Sequence, residues 1–323
     1  MPAPVASVVV ATCNRAELVE RTVAALAAQA LVESFEIIVV DDGSRDATAD
    51  TLARLGEEID GLVPISQPEN RGPAAARNVG WRAATAPVVA FTDDDCRPEP
   101  GWLAALLVGL ADAEIAQGRT LPRPDQQANV GPFSRTMRVE FEEGYYETCN
   151  VAYRRETLER QGGFDESFRF PYGEDTDLAW RAKHAGARTA FVPDALVYHE
   201  VWPSRYLDHL RDMRRRGGVV HLFSKHPELR THLHKRLFFR PLHQQALLAL
   251  LGLVVLAARP GSSAARAAAI GTSLFYAWTC RRYRPGPSRR RHWLAVVPLA
   301  FVADLYDLAV MARASVRYRT LLL

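Results

Sequence analysis

Residues 93–95 are three consecutive aspartates, and they close the apolar run VVAFT at Val88–Thr92. Adjacent carboxylates repel one another unless a cation sits among them, so Asp93, Asp94 and Asp95 suggest a divalent ion, Mn2+ or Mg2+, at a strand end. The plainer reading is a helix cap before GWLAALL, for which one aspartate suffices. Two other acidic pairs occupy similar positions. Asp41 and Asp42 follow FEIIVV and open the turn DDGS; a carboxylate there can accept a hydrogen bond from a nucleobase N–H or serve ordinary turn chemistry. Glu174 and Asp175 open GEDTDLAWR, where Asp175 can act as a general base or both can stabilise a helix start. His199, closing LVYH, offers a ring nitrogen to the same ion or fills a structural role. Arg71 and Arg77 in NRGPAAARN can meet phosphate or lie on a helix surface.

The runs VASVVVAT, FEIIVV, LVPIS and PVVAFT alternate with helical patterns near Arg15–Ala30, Asp46–Ile59 and Pro73–Ala84. A βαβαβαβ series of continuous apolar strands predicts a parallel sheet covered on both faces, with ligands at the carboxyl ends of the strands. The polar residues just past each strand therefore carry the interest: Thr12, Asn14 and Arg15, then Asp41 and Asp42, then Asn70 and Arg71, then the three aspartates. No G-x-G-x-x-G or G-x-x-x-x-G-K-[ST] occurs, so phosphates are not expected on a glycine loop.

The net charge of +3 hides an asymmetry: residues 226–323 hold 15 Lys and Arg against 3 Asp and Glu, and the preceding residues hold 25 against 34. Two regions are predicted, 1–225 and 226–323. The second carries apolar segments over about 242–258 and 265–280, each short of the roughly 20 residues of a straight span. These belong with lipid or with one another. Lys235, Arg236 and Arg240 precede the pair and Arg281–Arg291 follow it, which by the positive-inside rule places both ends at the cytoplasmic face of the cell membrane. A third helix, about 293–312, bears Asp304 and Asp307 one turn apart and reads as amphipathic and interfacial. The four cysteines form no C-x-x-C pair, which argues against a zinc site or a disulfide framework. No secretory leader is expected. The Arg-rich tail lacks the aromatic interleaving of a nucleic-acid platform, so no nucleic acid is expected as a partner.

Taken together, VVVATCNR, VVDDGSRD, NRGPAAARN, FTDDDCRP, CNVAYRRETLERQGGFDESF and GEDTDLAWR resemble the family 2 glycosyltransferases of GT-A fold. The resemblance covers roughly Val5–His199. It implies an α/β, Rossmann-like nucleotide-diphospho-sugar transferase domain followed by an α-helical, membrane-associated region. It further implies that Asp41 and Asp42 contact the nucleotide base and that Asp93 and Asp95 bind donor phosphates and metal. Asp175 becomes the catalytic base and His199 completes the metal site. Thr12, Asn14, Arg15, Asp94, Arg71 and Arg77 join the donor side, and Asn150 and Glu174 the acceptor region. Cys13 stands where the family often has an aromatic residue, and AWRAK follows the E-D pair in place of Q-x-x-R-W, favouring single sugar addition. The implied partners are a nucleoside diphosphate sugar, a glycan or lipid-linked acceptor and a membrane; a homo-oligomer is compatible with them. A non-catalytic membrane protein that holds a sugar nucleotide is the alternative, and it has no need of Asp175.

Overall fold

A computed structural model describes residues 2–168, 170–203, 205–283 and 293–323. These form two compact units: residues 1–127 with 136–200, and residues 128–135 with 201–323. The division falls at Glu200 rather than near Lys225, because helices α7 (Tyr206–Met213) and α8 (Gly217–Lys225) pack against α11 (Trp293–Tyr318).

In the first unit, β1 (Ala6–Thr12), β2 (Phe35–Asp41), β3 (Leu62–Ser66) and β4 (Val88–Asp93) run parallel, as their apolar continuity predicts. Four more strands, β5 (Cys96–Pro98), β6 (Ile115–Pro122), β7 (Val151–Arg154) and β8 (Thr189–His199), extend the sheet to the order β3-β2-β1-β4-β7-β6-β8-β5. β7 is antiparallel to both β4 and β6, so the sheet is mixed beyond its parallel half.

Helices cover both faces. On α1 (Ala16–Ala27) the buried residues Val19, Thr22, Val23 and Leu26 follow the 3.6 period and pack with α2 (Thr48–Glu58) and α4 (Trp102–Gly109) on one side. On the other side lie α3 (Pro73–Ala83), α5 (Arg155–Gln161) and α6 (Glu174–His184). α3 starts with Pro73 at a position where no N–H is needed. It lies so close to β1 that a Cβ on Gly80 would sit 2.4 Å from Val9 Cγ1.

The strand order turns back at β1, with β2 on one side and β4 on the other. In such a sheet the crevice for ligands opens there, at the carboxyl ends. Ala11 pairs with Asp93 and Thr12 with Asp41, so the register alone brings the two acidic turns to either side of Thr12.

The second unit is helical. α9 (Pro241–Ala258) and α10 (Ser263–Tyr283) form a hairpin, and α11 packs on both. α9 and residues 295–318 of α11 are long and apolar enough to cross a membrane; among the described residues α10 is not. The interfacial reading of 293–312 is corrected here. Asp304 and Asp307 do not line a wet face: both are fully buried, Asp304 accepting from Tyr276 Oη at 2.8 Å and Asp307 paired with Arg216. Residues 284–292 of the basic block lie outside the described residues.

Candidate functional site

The aspartate trio divides its work. Asp94 faces the protein, accepting from Thr12 Oγ1 at 2.7 Å and from Arg15 Nη1 at 2.6 Å. Thr22 on α1 donates to the carbonyls of Asp94 and Cys96, which pins the turn to the helix. Burial lifts the Asp94 carboxyl to about 6, with the Arg15 charge acting against it. Asp95 shares the Arg15 guanidinium, whose Nη1 donates to Oδ2 at 3.1 Å. The Asp93 side chain keeps 29% of its surface open, and Asp95 Oδ1 lies 3.5 Å from His199 Nε2.

His199 is placed by the sheet. It pairs with Cys96 across β5 and β8, and Glu200 N donates to Asp95 O at 2.9 Å. Its Nδ1 lies 2.8 Å from Glu200 O; a proton held there leaves the Nε2 lone pair directed to Asp95, the arrangement found behind imidazole metal ligands. Cys96 Sγ is near enough to Asp95 and His199 to join the same cluster. The group that could hold an ion is thus a carboxylate, an imidazole and a thiol whose pKa burial raises; a neutral thiol is a weak ligand, and the Asp95 oxygen and His199 nitrogen suit Mn2+ or Mg2+.

Arg77 links this end to the other carboxylates. Buried to 5% exposure, it donates from Nη2 to Asp93 Oδ1 and from Nη1 to Glu174 Oε1, both at 2.8 Å. Glu174 Oε2 is buried without a hydrogen-bond partner among the described residues. Burial first, then the charge of Asp175, raises the Glu174 carboxyl to about 8. Asp175 is half-buried at the start of α6, and burial raises its pKa while Thr176 N, donating to Oδ1 at 2.8 Å, opposes the rise. Thr148 N reaches Oδ2 at 3.4 Å.

Several expected contacts take other roles. Asn150 is no acceptor-side residue: it is buried, accepting from Trp102 Nε1 and donating to the carbonyls of Arg119 and Ala195. Asp42 is occupied by Arg71 N, Gly72 N and Gln67 Nε2, and so holds the loop before α3. Asp41 accepts from Ser44 within its own turn. The Arg71 side chain pairs with Glu166 at 2.9 Å. Asn14, at φ 54°, accepts from Arg45 N and so joins two strand-end loops. A cleft of about 410 Å³ opens between these loops, lined by Cys13, Asn14, Ser44, Arg45, Glu69 and Asn70 among others.

Glu147 was not found from sequence. It lies beside Asp175, accepts from Gln117 Nε2 at 2.7 Å, and is raised to about 7 by burial and then by the Asp175 charge. It sits between β6 and β7, two residues before the CNVAYRR segment, whose nearness was the one signal that could have drawn attention to it.

The sheet, its switch-point crevice and the carboxylates around it are those of a GT-A fold. The "Glycosyl transferase family 2" model matches residues 7–165, and "Glycosyl transferase family group 2" matches residues 88–305. The chain belongs to the family 2 glycosyltransferases. It is 32% identical over 248 residues to the pre-mycofactocin glycosyltransferase of Mycobacterium tuberculosis H37Rv, covering 69% of this chain and 48% of that protein. It is 31% identical over 215 residues to the validoxylamine A glucosyltransferase of Streptomyces hygroscopicus subsp. jinggangensis, covering 55% and 51%. The chain thus spans about half the length of these relatives. In fold it is similar to the mannosyltransferase PcManGT of Pyrobaculum calidifontis, solved with GDP-Man and Mn2+: TM-score 0.58, 22% identity, 97% of this chain and 87% of that one.

Proposed function

We propose that this chain moves one sugar from a nucleoside diphosphate sugar to an acceptor hydroxyl, with inversion at the anomeric carbon. The observation that carries the reading is that Asp95 and His199 face each other just past the carboxyl end of β4, while Arg77 ties Asp93, which ends that strand, to Glu174 next to the half-buried Asp175. The names of the relatives, two of them sugar transferases, and the GDP-Man and Mn2+ bound by the PcManGT structure support the same class.

In this reading the cleft at Cys13, Asn14 and Ser44 seats the nucleoside, with Asp41 at its edge. Asp93, Asp95 and His199 would hold Mn2+ or Mg2+, which when bound supplies positive charge to the donor diphosphate. Arg15 fixes Asp94 and Asp95, and Thr12 fixes Asp94. Asp175 takes the proton of the acceptor hydroxyl while that oxygen bonds to the anomeric carbon. The bond from that carbon to the diphosphate oxygen breaks, and the diphosphate leaves with the electron pair. Attack from the face opposite the leaving group gives inversion. The absence of Q-x-x-R-W after the E-D pair favours a single addition.

The apolar hairpin and the basic tail suggest attachment at the cytoplasmic face of the cell membrane, with a glycan or lipid-linked acceptor in envelope polysaccharide synthesis. The test is a screen of the full chain, purified in detergent, against a panel of nucleotide sugars with Mn2+, Mg2+ and EDTA. Metal-dependent release of one nucleoside diphosphate supports transfer. Binding of a donor without turnover in the presence of lipid and soluble acceptors would favour the non-catalytic binder instead.

A further inference from the structure

Arg77 lies between two groups with different jobs. Its Nη2 holds Asp93, at the donor end, and its Nη1 holds Glu174, the residue before the candidate base Asp175. The guanidinium is itself held in place. The next residue, Asn78, donates to Phe164 O and accepts from Phe164 N, and the Phe164 ring centroid lies 6.0 Å from Arg77 Cζ. α3 cannot retreat from β1 without losing the close contact at Gly80. A buried cation in so fixed a frame does not reach out to phosphate.

We propose that Arg77 is a positioning residue that sets the spacing between the cation-holding carboxylate Asp93 and the base Asp175, by pinning Glu174 at the first position of α6. The proposal rests on the sugar-transfer reading both for its consequence in turnover and for Asp93 as a ligand of the ion, and on the geometry for the two arms of Arg77. Two donors diverging in one plane reach both carboxylates at 2.8 Å; a lysine, with a compact ammonium, cannot serve both at once in the same geometry. Asp93 is oriented by one arm, so weakening that arm disorders a ligand of the ion. α6 is oriented by the other, so weakening that one displaces the base. A displacement of about 1 Å at a reacting group is enough to cost on the order of 100-fold in rate.

The two arms separate by substitution. In R77K, which keeps the buried charge, turnover at saturating donor should fall about 100-fold, and the Mn2+ concentration for half-saturation should rise about tenfold or more, as for other outer-shell partners of metal ligands. In E174A, which removes the acceptor of the Nη1 arm and leaves the Asp93 arm intact, turnover should fall at least about tenfold while Mn2+ half-saturation stays within about twofold. Mn2+ binding is followed by its EPR signal, independently of turnover, and folding by circular dichroism. R77K with wild-type turnover and wild-type Mn2+ affinity would reduce Arg77 to a balance of charge and overturn the proposal. Should R77K not fold, E174A decides, and unchanged turnover there overturns it equally. If the wild-type chain turns over none of the donors, sugar transfer falls; a weaker Mn2+ affinity in R77K then still supports the Asp93 arm, and an unchanged one removes it.

Discussion

Each unit of this chain buries an ionic cluster, and the two clusters are balanced differently. In the first unit, Asp93, Asp94, Asp95, Glu174 and Asp175 surround Arg15 and Arg77. Five carboxyl groups against two guanidiniums leave negative charge over even with Glu174 protonated, and it lies at the carboxyl end of β4, where Asp93 stays partly open. In the second unit Asp307 meets Arg216 and lies 3.3 Å from His243, while Asp304 meets Tyr276, all of them buried. There the carboxylates are enclosed, Asp307 with a guanidinium and Asp304 with a phenol. An enclosed cluster locks helices together; an open cluster with excess charge is a place for a cation.

The largest effects are expected at the open cluster. Asp175→Asn should lower turnover about 10²–10⁴-fold, with donor affinity and fold retained, because an amide cannot take the acceptor proton. Asp95→Ala should remove turnover and Mn2+-dependent donor binding together. Undiminished Mn2+-dependent donor affinity in that variant would take Asp95 out of the ion site, and with it the contrast between the clusters.

The enclosed cluster should answer in stability instead. Asp307→Ala leaves Arg216 buried without its carboxylate, a change that costs about 3–5 kcal/mol. Denaturant unfolding of the detergent-solubilised chain checks the size. Turnover per folded molecule should be unchanged; a large loss there would mean that the second cluster also serves catalysis.

The contrast explains what could be read from the sequence. The parallel half of the sheet was legible because its strands are continuous apolar runs, and the acidic turns were legible because Asp41, Asp93 and Asp175 fall at element boundaries. The split of labour within Asp93–Asp95 was not, since it depends on which face of β4 meets Thr12 and Arg15. Arg77 looked like a phosphate contact because its partners Asp93 and Glu174 are 16 and 97 residues away. Asn150 lies in a family-like motif but is occupied by Trp102 and two carbonyls. Asp304 and Asp307, one turn apart, give the sequence signature of a wet helix face, yet their partners come from other helices of the bundle.

Glu147 supplies a milder test of the excess charge. Its carboxyl stands at about 7 in the folded chain against an ordinary 4.5, so the folded state holds its proton more tightly than the unfolded one. Its favourable contribution is present below about pH 4.5 and is lost as pH rises towards 7. Glu147→Gln should therefore raise the Tm at pH 8 by roughly 2–4 °C for each kcal/mol recovered and leave it unchanged at pH 4. Equal shifts at both pH values would mean that the glutamine acts by packing, not by charge.

The smallest effect on chemistry is expected at the apolar hairpin of the tail. Residues 295–318 of α11 are long and apolar enough to span, but Tyr206 of α7 donates to Leu299 O at 2.9 Å and His221 of α8 stacks on Tyr318 at 4.5 Å, so α7 and α8 line it towards its two ends. The α9–α10 hairpin differs. Its helices approach closely at Gly252, where a Cβ would lie 2.5 Å from Thr272 Oγ1, and their outer faces expose Leu251, Val254, Ile270 and Leu274, each more than half open. Between Leu229 and Ala303 there are twelve Lys and Arg and no Asp or Glu, a balance suited to anionic headgroups. Leu251→Asp and Leu274→Asp should each weaken binding to phosphatidylglycerol vesicles at least about tenfold, near 1.4 kcal/mol for the apolar surface kept in water. Transfer to a water-soluble acceptor should stay at the wild-type rate. Co-sedimentation equal to wild type for both variants would move the lipid contact off the hairpin, and a halved mass in analytical ultracentrifugation would assign that face to a second copy of the chain.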